Sequence, residues 1–413
     1  MARRRHPHPI EHSILITATL CLLAAGAVMV FSASSARSVL SGQGDGTSFM
    51  VKYVIYGGIG FVLMHVIARR GLDLVLKATL PLLAFSFVCL VLVKMPGFGV
   101  SVNGARRWLG AGPLVFQPSE LMKLSLVLYA AKLLAERPKV LAHPRNLMPL
   151  LLVAGGAVLL IASQPDLGTS LVICFTMASM LVAAGMPIRW LATATGGGSV
   201  LILLYAMSAS YRRDRLMTFL DPWAHAGDEG FQAVQGQIAL GSGGLFGRGL
   251  GNSQQKNLFL PEAHTDFILA IVGEELGVIG ICGILFLYGL VAYAGLRVAK
   301  NARGTYAKLL AAGVTSLFLS QAMLNVFTVL GLAPLTGVPL PFISYGSTNL
   351  IVLLMGMGVL LNVAAGGHVT LRVVPGARNV AGSKRNGSND PDRRRRDSRA
   401  RGAGSGGRRR AAG

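Results

Sequence analysis

The sequence predicts an all-α, polytopic membrane protein with about ten transmembrane helices and one long external loop between helices 7 and 8. Its 413 residues are 52% hydrophobic and 14% charged, whereas roughly a quarter of the residues in a soluble domain are charged. The charges are also clustered, which leaves long segments without Asp, Glu, Lys or Arg. Because a helix needs about 20 apolar residues to cross a bilayer core, this pattern argues against a soluble enzyme.

The apolar segments account for the ten spans in order. The charge-free segments that are long enough for one crossing are 13–36, 146–165, 167–188, 190–211 and 276–296, and 309–371 is long enough for two. Shorter or interrupted apolar segments are 53–68, 78–93, 114–134 and one that runs on from Phe267. The first stretch follows three arginines, as a signal peptide would, but its length favours a retained span.

Basic residues indicate the orientation. An even number of spans puts both termini on one side, and the positive-inside rule assigns that side to the cytoplasm. In this orientation 28 of the 39 Lys and Arg residues lie inside, 10 lie outside, and Lys123 lies within a span. Without the C-terminal tail the contrast is 15 to 10. Composition therefore favours a multi-pass protein of the cytoplasmic (inner) membrane with both termini cytoplasmic.

The chain divides into a membrane domain, residues 1–371, and a basic tail, residues 372–413. The tail holds 13 basic and 3 acidic residues and almost no large apolar ones, so it cannot bury enough surface to fold. It could attract anionic lipid or a partner at the cytoplasmic face, or nucleic acid. It could equally be a solvated topology determinant that tolerates deletion.

The polar connection 208–264 is external in this orientation. A loop this long in a compact bundle is usually functional or disordered. Spaced aromatic residues and the amphipathic segment 231–240 favour order, with a short helix at the membrane surface. The glycine-rich run 241–253 lacks the spacing of a nucleotide-binding motif and is compatible with a close-packed turn.

Ionisable residues inside spans are rare and are functional candidates. Glu120 opens the fourth span and Lys123 follows on the same face, either as cavity residues or as an intrahelical pair that lowers the cost of burial. Glu274 and Glu275 lie about 12 to 14 Å deeper than Asp266 if the helix is continuous. Adjacent side chains diverge by about 100° on a helix, so at least one of these glutamates is expected to be structural.

Polar residues also gather at the mouth of the eighth span, where Glu262, His264, Thr265 and Asp266 lie together. This cluster would hold a carboxylate at the boundary between water and lipid. Helix capping by Thr265 or Asp266 is the alternative.

Two other polar positions have a structural and a functional interpretation. Asp166 could simply cap the sixth helix. Arg106 and Arg107, beside Trp108, suit a diphosphate or lipid headgroup as well as a membrane anchor.

Several ordered motifs between about Gly26 and Val363 resemble the SEDS family, the shape, elongation, division and sporulation proteins of bacteria. They occupy residues 26–35, 103–108, 116–120, 164–168, 219–222, 239–244, 261–267 and 339–346. Residues 249–253, Gln255 and Lys256 before the 261–266 motif resemble the division branch, FtsW, more than the elongation branch, RodA. One departure is Ser347, where the family usually has a glycine, which puts the local geometry of the last external loop in doubt.

The resemblance implies polymerisation of lipid II into peptidoglycan glycan strands at the outer face of the membrane during cell division. It also implies a class B penicillin-binding protein transpeptidase as partner, together with other divisome membrane proteins at the division septum. Nucleic acid is not expected. No cofactor is required with certainty, but a divalent cation, Mg²⁺ or Mn²⁺, could be shared by the substrate diphosphate and Asp266.

By position, Asp266 matches the family's candidate catalytic aspartate, and Arg107, Glu120 and Lys123 match polar positions of its central cavity. The reaction needs a base for a sugar hydroxyl and positive charge for the leaving polyprenyl diphosphate. We therefore predict Asp266 as the base. The candidates for the positive charge at the diphosphate, in decreasing order of preference, are Arg107, Lys123, Lys256 and Arg248. The other predicted substrate-binding residues are Glu120, Glu262, His264, Thr265, Glu275 and Ser344.

Two other functions remain open from the sequence. A lipid II flippase or transporter would tend to show internal repeats and broken helices near the midplane; no repeat is visible, and Asp266 lies near the outer interface. A non-catalytic scaffold that recruits a transpeptidase would leave Lys123 and Glu275 without an obvious purpose.

Overall fold

The computed structural model describes residues 9–40, 46–102, 105–111, 114–137, 144–190, 192–193, 196–197, 207, 218–228, 230–257 and 259–369. The helices of this part are α1 (Ile10–Leu40), α2 (Ser48–Arg69), α3 (Leu72–Lys94), α4 (Pro118–Glu136), α5 (Met148–Ala162), α6 (Leu167–Ala183), α7 (Phe231–Gly243), α8 (Ile268–Asn301), α9 (Thr305–Val329) and α10 (Ser347–Ala364). Two short 3₁₀ helices, Pro144–Leu147 and Trp223–His225, and three short strands complete it.

The predicted all-α, polytopic membrane class is confirmed. Within the described residues, α1, α2, α3, α8, α9 and α10 are long and apolar enough to cross a membrane, and α5 and α6 are shorter apolar helices. Most of the predicted seventh span, 190–211, lies outside the described residues. Residues 103–104 of one family motif and the tail, 372–413, lie outside them entirely.

Helix α4 occupies the centre of the bundle. It packs against α3, α6, α9 and α10, and nearly all of its side chains are buried although it carries four charged residues. Helices α9 and α10 are likewise mostly buried, whereas α2 and α3 expose more of their apolar surface. The central helices therefore hold the polar groups, and the outer helices separate them from lipid.

The start of α4 differs from the predicted span 114–134. The helix begins at Pro118, and Gln117 before it is extended, with φ −101° and ψ 107°, because the residue before a proline is disfavoured in the helical region. Residues upstream instead form an antiparallel sheet, β1 (Gly99–Val102), β2 (Ala105–Ala111) and β3 (Leu114–Phe116). This sheet carries Arg106 and Arg107 on β2.

Helix α8 is interrupted at Gly277, whose φ of 68° and ψ of −165° are not helical. The backbone groups freed by the break pair with the preceding loop in four hydrogen bonds: Val278 N–H to Gly244 C=O (3.0 Å), Ile279 N–H to Leu245 C=O (3.3 Å), Arg248 N–H to Glu274 C=O (2.9 Å) and Gly249 N–H to Glu275 C=O (3.0 Å). The helix is continuous from Ile268 through Glu274 and Glu275, as assumed from the sequence, because the break comes only at Gly277.

The loop that makes these bonds is a hairpin formed by α7 and a non-helical returning segment, residues 231–257, called here the α7 hairpin. Helix α7 runs alongside the first half of α8 in the same direction: Gly236 faces the Phe267 ring and Gly243 faces the Gly273 carbonyl. The chain turns at 244–250 and returns toward Asp266. The predicted short helix in this loop is thus present, and it packs against α8.

Close backbone contact at Gly247 can be tested against Gly251. Both glycines have positive φ, 78° and 81°, so Gly247→Ala and Gly251→Ala share a conformational cost of about 1–2 kcal/mol. A methyl group at 247 would also overlap the Glu275 carbonyl, whereas a methyl group at 251 would have no atom within 4 Å. We expect Gly247→Ala to lower the free energy of unfolding by about 1–3 kcal/mol more. Equal unfolding midpoints of the two purified variants would contradict the contact.

Candidate functional site

Asp266 lies in the turn immediately before α8, and a neighbouring hydroxyl holds one oxygen of its carboxylate. Thr265 Oγ1 is 3.1 Å from Asp266 Oδ1. The same hydroxyl is 2.9 Å from the Glu262 carbonyl and 3.3 Å from Glu262 Oε2. Its single proton is therefore shared among acceptors of Glu262 and Asp266. Phe267 occupies the cap position of α8 and makes no side-chain cap hydrogen bond, so neither Thr265 nor Asp266 is the cap residue that the alternative predicted.

The backbone of Asp266 is fixed from the opposite side by α9. Asn325 Nδ2 donates to the Asp266 carbonyl (2.7 Å) and to the Val338 carbonyl (2.8 Å). Between these anchors, Gly337 has φ 67°, and a methyl group there would lie 3.9 Å from Asp266 Oδ2. Oδ2 thus faces a position that has no side chain, while Oδ1 is engaged.

Burial raises the pKa of the Asp266 carboxyl to about 6. Hydrogen bonds from the Thr265 hydroxyl and from the backbone of Asp266 and Phe267 lower this pKa, and the nearby Glu262 carboxylate raises it. The residue as a whole is only partly buried. A carboxylate that titrates close to neutral pH is suited to take a proton.

A second polar group lies inside the bundle around Lys123. Lys123 Nζ is 2.9 Å from Glu120 Oε2 and 2.8 Å from Gln321 Oε1, and the side chains of both charged residues are almost completely buried. Gln321 Nε2 in turn donates to the Pro339 carbonyl (2.9 Å) and to Asn349 Oδ1 (3.0 Å). The predicted acidic partner of Lys123 is therefore Glu120.

Helix α9 connects the two polar groups. Gln321 and Asn325 are one turn apart, and they bind the consecutive carbonyls of Pro339 and Val338. Neither residue was predicted, because both are uncharged and only charged side chains stand out as unusual in an apolar span. Their spacing on one helix face within the charge-free segment 309–371 is the signal that would have found them.

Arg107 and Asp166 hold the turn between α5 and α6. Asp166 Oδ1 accepts from Thr169 N–H at 3.1 Å, so it caps α6 as the structural interpretation predicted. Arg107 Nε donates to the Gln164 carbonyl at 3.0 Å, and its guanidinium also contacts the Pro165 carbonyl. The structure thus brings Arg107 to this turn, while Lys123 contacts Glu120 and Gln321.

Glu274 and Glu275 bind the α7 hairpin, and both side chains are fully buried. Glu275 Oε1 is 3.0 Å from Lys256 Nζ, and its carboxylate accepts from Ser32 Oγ of α1 at 2.7 Å. Glu274 accepts from Ser253 Oγ at 2.5 Å and from Gln254 N–H at 2.9 Å, with Arg248 at 3.5 Å. Lys256 and Glu275 therefore neutralise each other, and both glutamates have a structural role.

His264 and Ser344 support the loop between α9 and α10. The His264 ring packs 4.5 Å from Phe49 and 5.7 Å from Tyr345, and Tyr345 N–H donates to its carbonyl at 2.9 Å. The buried Ser344 Oγ accepts from Leu340 N–H at 2.8 Å. Ser347 begins α10 after an extended Gly346 with φ −176°, a conformation that any residue adopts.

The buried pair on α4 gives a stability test. Lys123→Met leaves Glu120 without its ion partner in the bundle, which typically lowers the free energy of unfolding by about 3–5 kcal/mol. Adding Glu120→Gln should restore much of the loss, because the remaining group is neutral. Lys132→Met, a half-buried lysine of the same helix, is the control and should change stability by about 0.5 kcal/mol or less. Equal unfolding midpoints for Lys123→Met and Lys132→Met would be incompatible with the pair.

Sequence relatives cover most of the chain. Stage V sporulation protein E of Bacillus subtilis is 40% identical over 352 residues, which cover 85% of this chain and 96% of that protein. The probable peptidoglycan glycosyltransferase FtsW of Geobacter sp. (strain M18) is 38% identical and covers 85% and 96%. The protein of the same name from Mycobacterium tuberculosis is 38% identical and covers 86% and 67%.

Solved structures and a family profile agree with these relatives. A chain from work on the structural coordination of polymerization and crosslinking by a peptidoglycan synthase complex matches with a TM-score of 0.72 and 28% identity, over 86% of this chain and 97% of that one. The rod shape determining protein RodA of Thermus thermophilus matches with a TM-score of 0.61, 28% identity and the same coverage. The profile of the FtsW, RodA and SpoVE cell cycle proteins matches residues 12–368. The predicted SEDS resemblance is thus confirmed, and the chain belongs to the FtsW, RodA and SpoVE family of cell cycle proteins.

Proposed function

We propose that the protein is a peptidoglycan glycosyltransferase that polymerises lipid II, with Asp266 as the general base. The observation that carries this proposal is the Asp266 carboxylate, held in the turn before α8 with Oδ2 facing Gly337 and a pKa raised to about 6 by burial. Relatives of similar length are named probable peptidoglycan glycosyltransferases.

In the proposed reaction, a sugar hydroxyl of one lipid-linked disaccharide attacks the anomeric carbon of another. Asp266 Oδ2 takes the hydroxyl proton as the new carbon–oxygen bond forms. The bond from the anomeric carbon to the diphosphate oxygen breaks, and the polyprenyl diphosphate leaves with the electron pair. Thr265 and Asn325 fix the base during this step, since one binds Oδ1 and the other binds the Asp266 carbonyl.

The leaving diphosphate needs positive charge. Arg107 and Arg248 are the partly exposed cations among those predicted, whereas Lys123 and Lys256 are buried in ion pairs. A divalent cation, Mg²⁺ or Mn²⁺, is a further candidate. Glu262 and Asp266 offer it hard oxygen ligands around Thr265, and such ions commonly take their remaining ligands from substrate phosphates and water. Within the described residues, however, no group of three or more His, Cys, Asp and Glu side chains could hold a metal ion. The cation would stabilise charge on the diphosphate.

We infer that Asp266 faces the outside and that both termini are cytoplasmic. Supporting this orientation, Arg297 and Lys300 lie at the end of α8 opposite Asp266, as the positive-inside rule expects. We further propose a class B penicillin-binding protein as partner, because a similar chain belongs to a synthase complex that coordinates polymerization with crosslinking. The FtsW relatives favour a role at the division septum with other divisome membrane proteins.

Transport of the lipid substrate is the competing function. A broken helix such as α8 is also a feature of transporters. At Gly277, however, the freed groups of the described chain bind the backbone of the α7 hairpin, which leaves them occupied by protein. The break therefore favours an anchoring role over an ion or substrate site.

Asp266→Asn tests the base. The change keeps size and much of the hydrogen bonding but removes the proton acceptor, so the rate of polymerisation should fall by about 10² to 10⁴. The full-length protein, purified with its transpeptidase and supplied with lipid II, would be assayed for glycan strands. Asp228→Asn, at an exposed acid of the same external connection, is the control and should retain far more activity. Normal synthesis by Asp266→Asn would eliminate this assignment.

The pH dependence of the rate gives a second test. The base acts when deprotonated, so activity should rise with pH through about 6 and be lost progressively below it. Thr265→Val removes a hydrogen bond that stabilises the carboxylate. The acidic limb of the pH–rate profile, where activity rises, should therefore move upward by about one pH unit. Thr265→Ser keeps the hydroxyl and should leave it in place. A limb that does not move in the valine variant would exclude the role given to Thr265.

A further inference from the structure

The tip of the α7 hairpin, residues 244–250, exposes large apolar side chains. Leu245 is 65% exposed, Phe246 is 79% exposed and Leu250 is 55% exposed. Three such residues within six positions form a concentrated apolar surface on a segment that the sequence assigned to an external polar loop. Exposed apolar groups of this kind mark a surface that contacts protein or lipid.

The depth of this tip is fixed by its bonds to α8. Gly244 and Leu245 accept hydrogen bonds from Val278 and Ile279, which places the tip level with the first residues after the break. Val278 and Ile279 are themselves exposed apolar residues at the start of the charge-free segment 276–296. The tip therefore lies beside the outer end of the apolar part of α8.

The apolar part of α8 is about as long as the hydrocarbon core of a bilayer is thick. Its 21 residues span about 31 Å as a helix, close to the hydrocarbon thickness of about 30 Å, and Arg297 follows at the other end. When α8 crosses the membrane, residues 276–279 lie at the outer boundary of the hydrocarbon. Side chains exposed at that level face lipid.

We propose that the tip of the α7 hairpin inserts into the outer leaflet, with Leu245, Phe246 and Leu250 in contact with lipid acyl chains. Arg248, beside them, has a half-exposed guanidinium held by Glu274 and by the Ser242 carbonyl, which suits the headgroup level. Non-helical backbone at this depth requires internal hydrogen bonds, and the bonds across the break of α8 provide them. The hairpin is therefore a re-entrant anchor beside the outer end of the apolar part of α8.

Single-tryptophan fluorescence tests this insertion. The native Trp108, Trp190 and Trp223 would be replaced by Phe, and Phe246→Trp introduced into that background to give the tip variant. The matched control keeps only Trp223, an exposed residue of the same external region that donates to Gln237 at 3.1 Å. Gln237 adjoins Gly236, which faces Phe267, so Trp223 lies toward the Asp266 end, about 15 Å along α8 from the break.

The full chain would be reconstituted into phosphatidylcholine and phosphatidylglycerol vesicles with lipids brominated near the headgroup end of the acyl chain, and with iodide on both sides. We expect brominated lipid to quench the indole of the tip variant at least twofold more strongly than that of Trp223, and iodide to quench Trp223 more strongly. Leu245→Trp in the same background should behave like Phe246→Trp and serves if the first variant does not fold. Quenching of the tip indole by iodide as strong as that of Trp223 would overturn insertion, and quenching by neither agent would overturn it as well, because protein would then cover the tip.

Discussion

Four backbone hydrogen bonds across the break at Gly277 hold the α7 hairpin against α8, and the geometry of the outer mouth depends on them. They satisfy groups that a broken helix would otherwise leave unpaired in a region with little water. They also align two buried glutamates with Ser253, Gln254 and Lys256 of the returning segment. The chain then passes directly from this fixed segment into the turn that carries Asp266, so the turn starts from a defined position.

The carboxylates near the mouth differ in what surrounds them. Glu274 and Glu275 are enclosed and saturated by hydrogen bonds from side chains, backbone and an ammonium group. The Asp266 carboxylate receives hydrogen bonds from the Thr265 hydroxyl and from the backbone of its own turn, and its Oδ2 faces Gly337. One environment encloses a carboxylate in hydrogen bonds from several segments of the chain, and the other lies in a turn at the start of a helix. Carboxylates that are close in sequence thus have different surroundings in the fold.

The membrane class, most span boundaries and the pairing of Glu120 with Lys123 could be predicted, because charge is excluded from lipid and i to i+3 neighbours share a helix face. The cap role of Asp166 was predicted as one of two interpretations, since local capping depends on adjacent residues. The β-sheet before α4 was not predicted, nor was the break at Gly277, because both depend on backbone partners distant in sequence. Gln321 and Asn325 were missed for a related reason: an uncharged polar residue in a span acquires meaning only from the carbonyl groups placed opposite it.

The buried charged residues differ in whether their partners are synthesised before or after them. Within the described residues, the side-chain and backbone donors to Glu274 and Glu275, from Ser32 to Lys256, precede them in the chain. As the chain emerges from the ribosome, these two acids meet partners that already exist. Lys123 does not have this advantage, because Gln321 follows it by 198 residues. During that interval Glu120 alone, on the preceding turn, is the local neutralising group, so this pair protects the nascent fourth span until α9 is inserted.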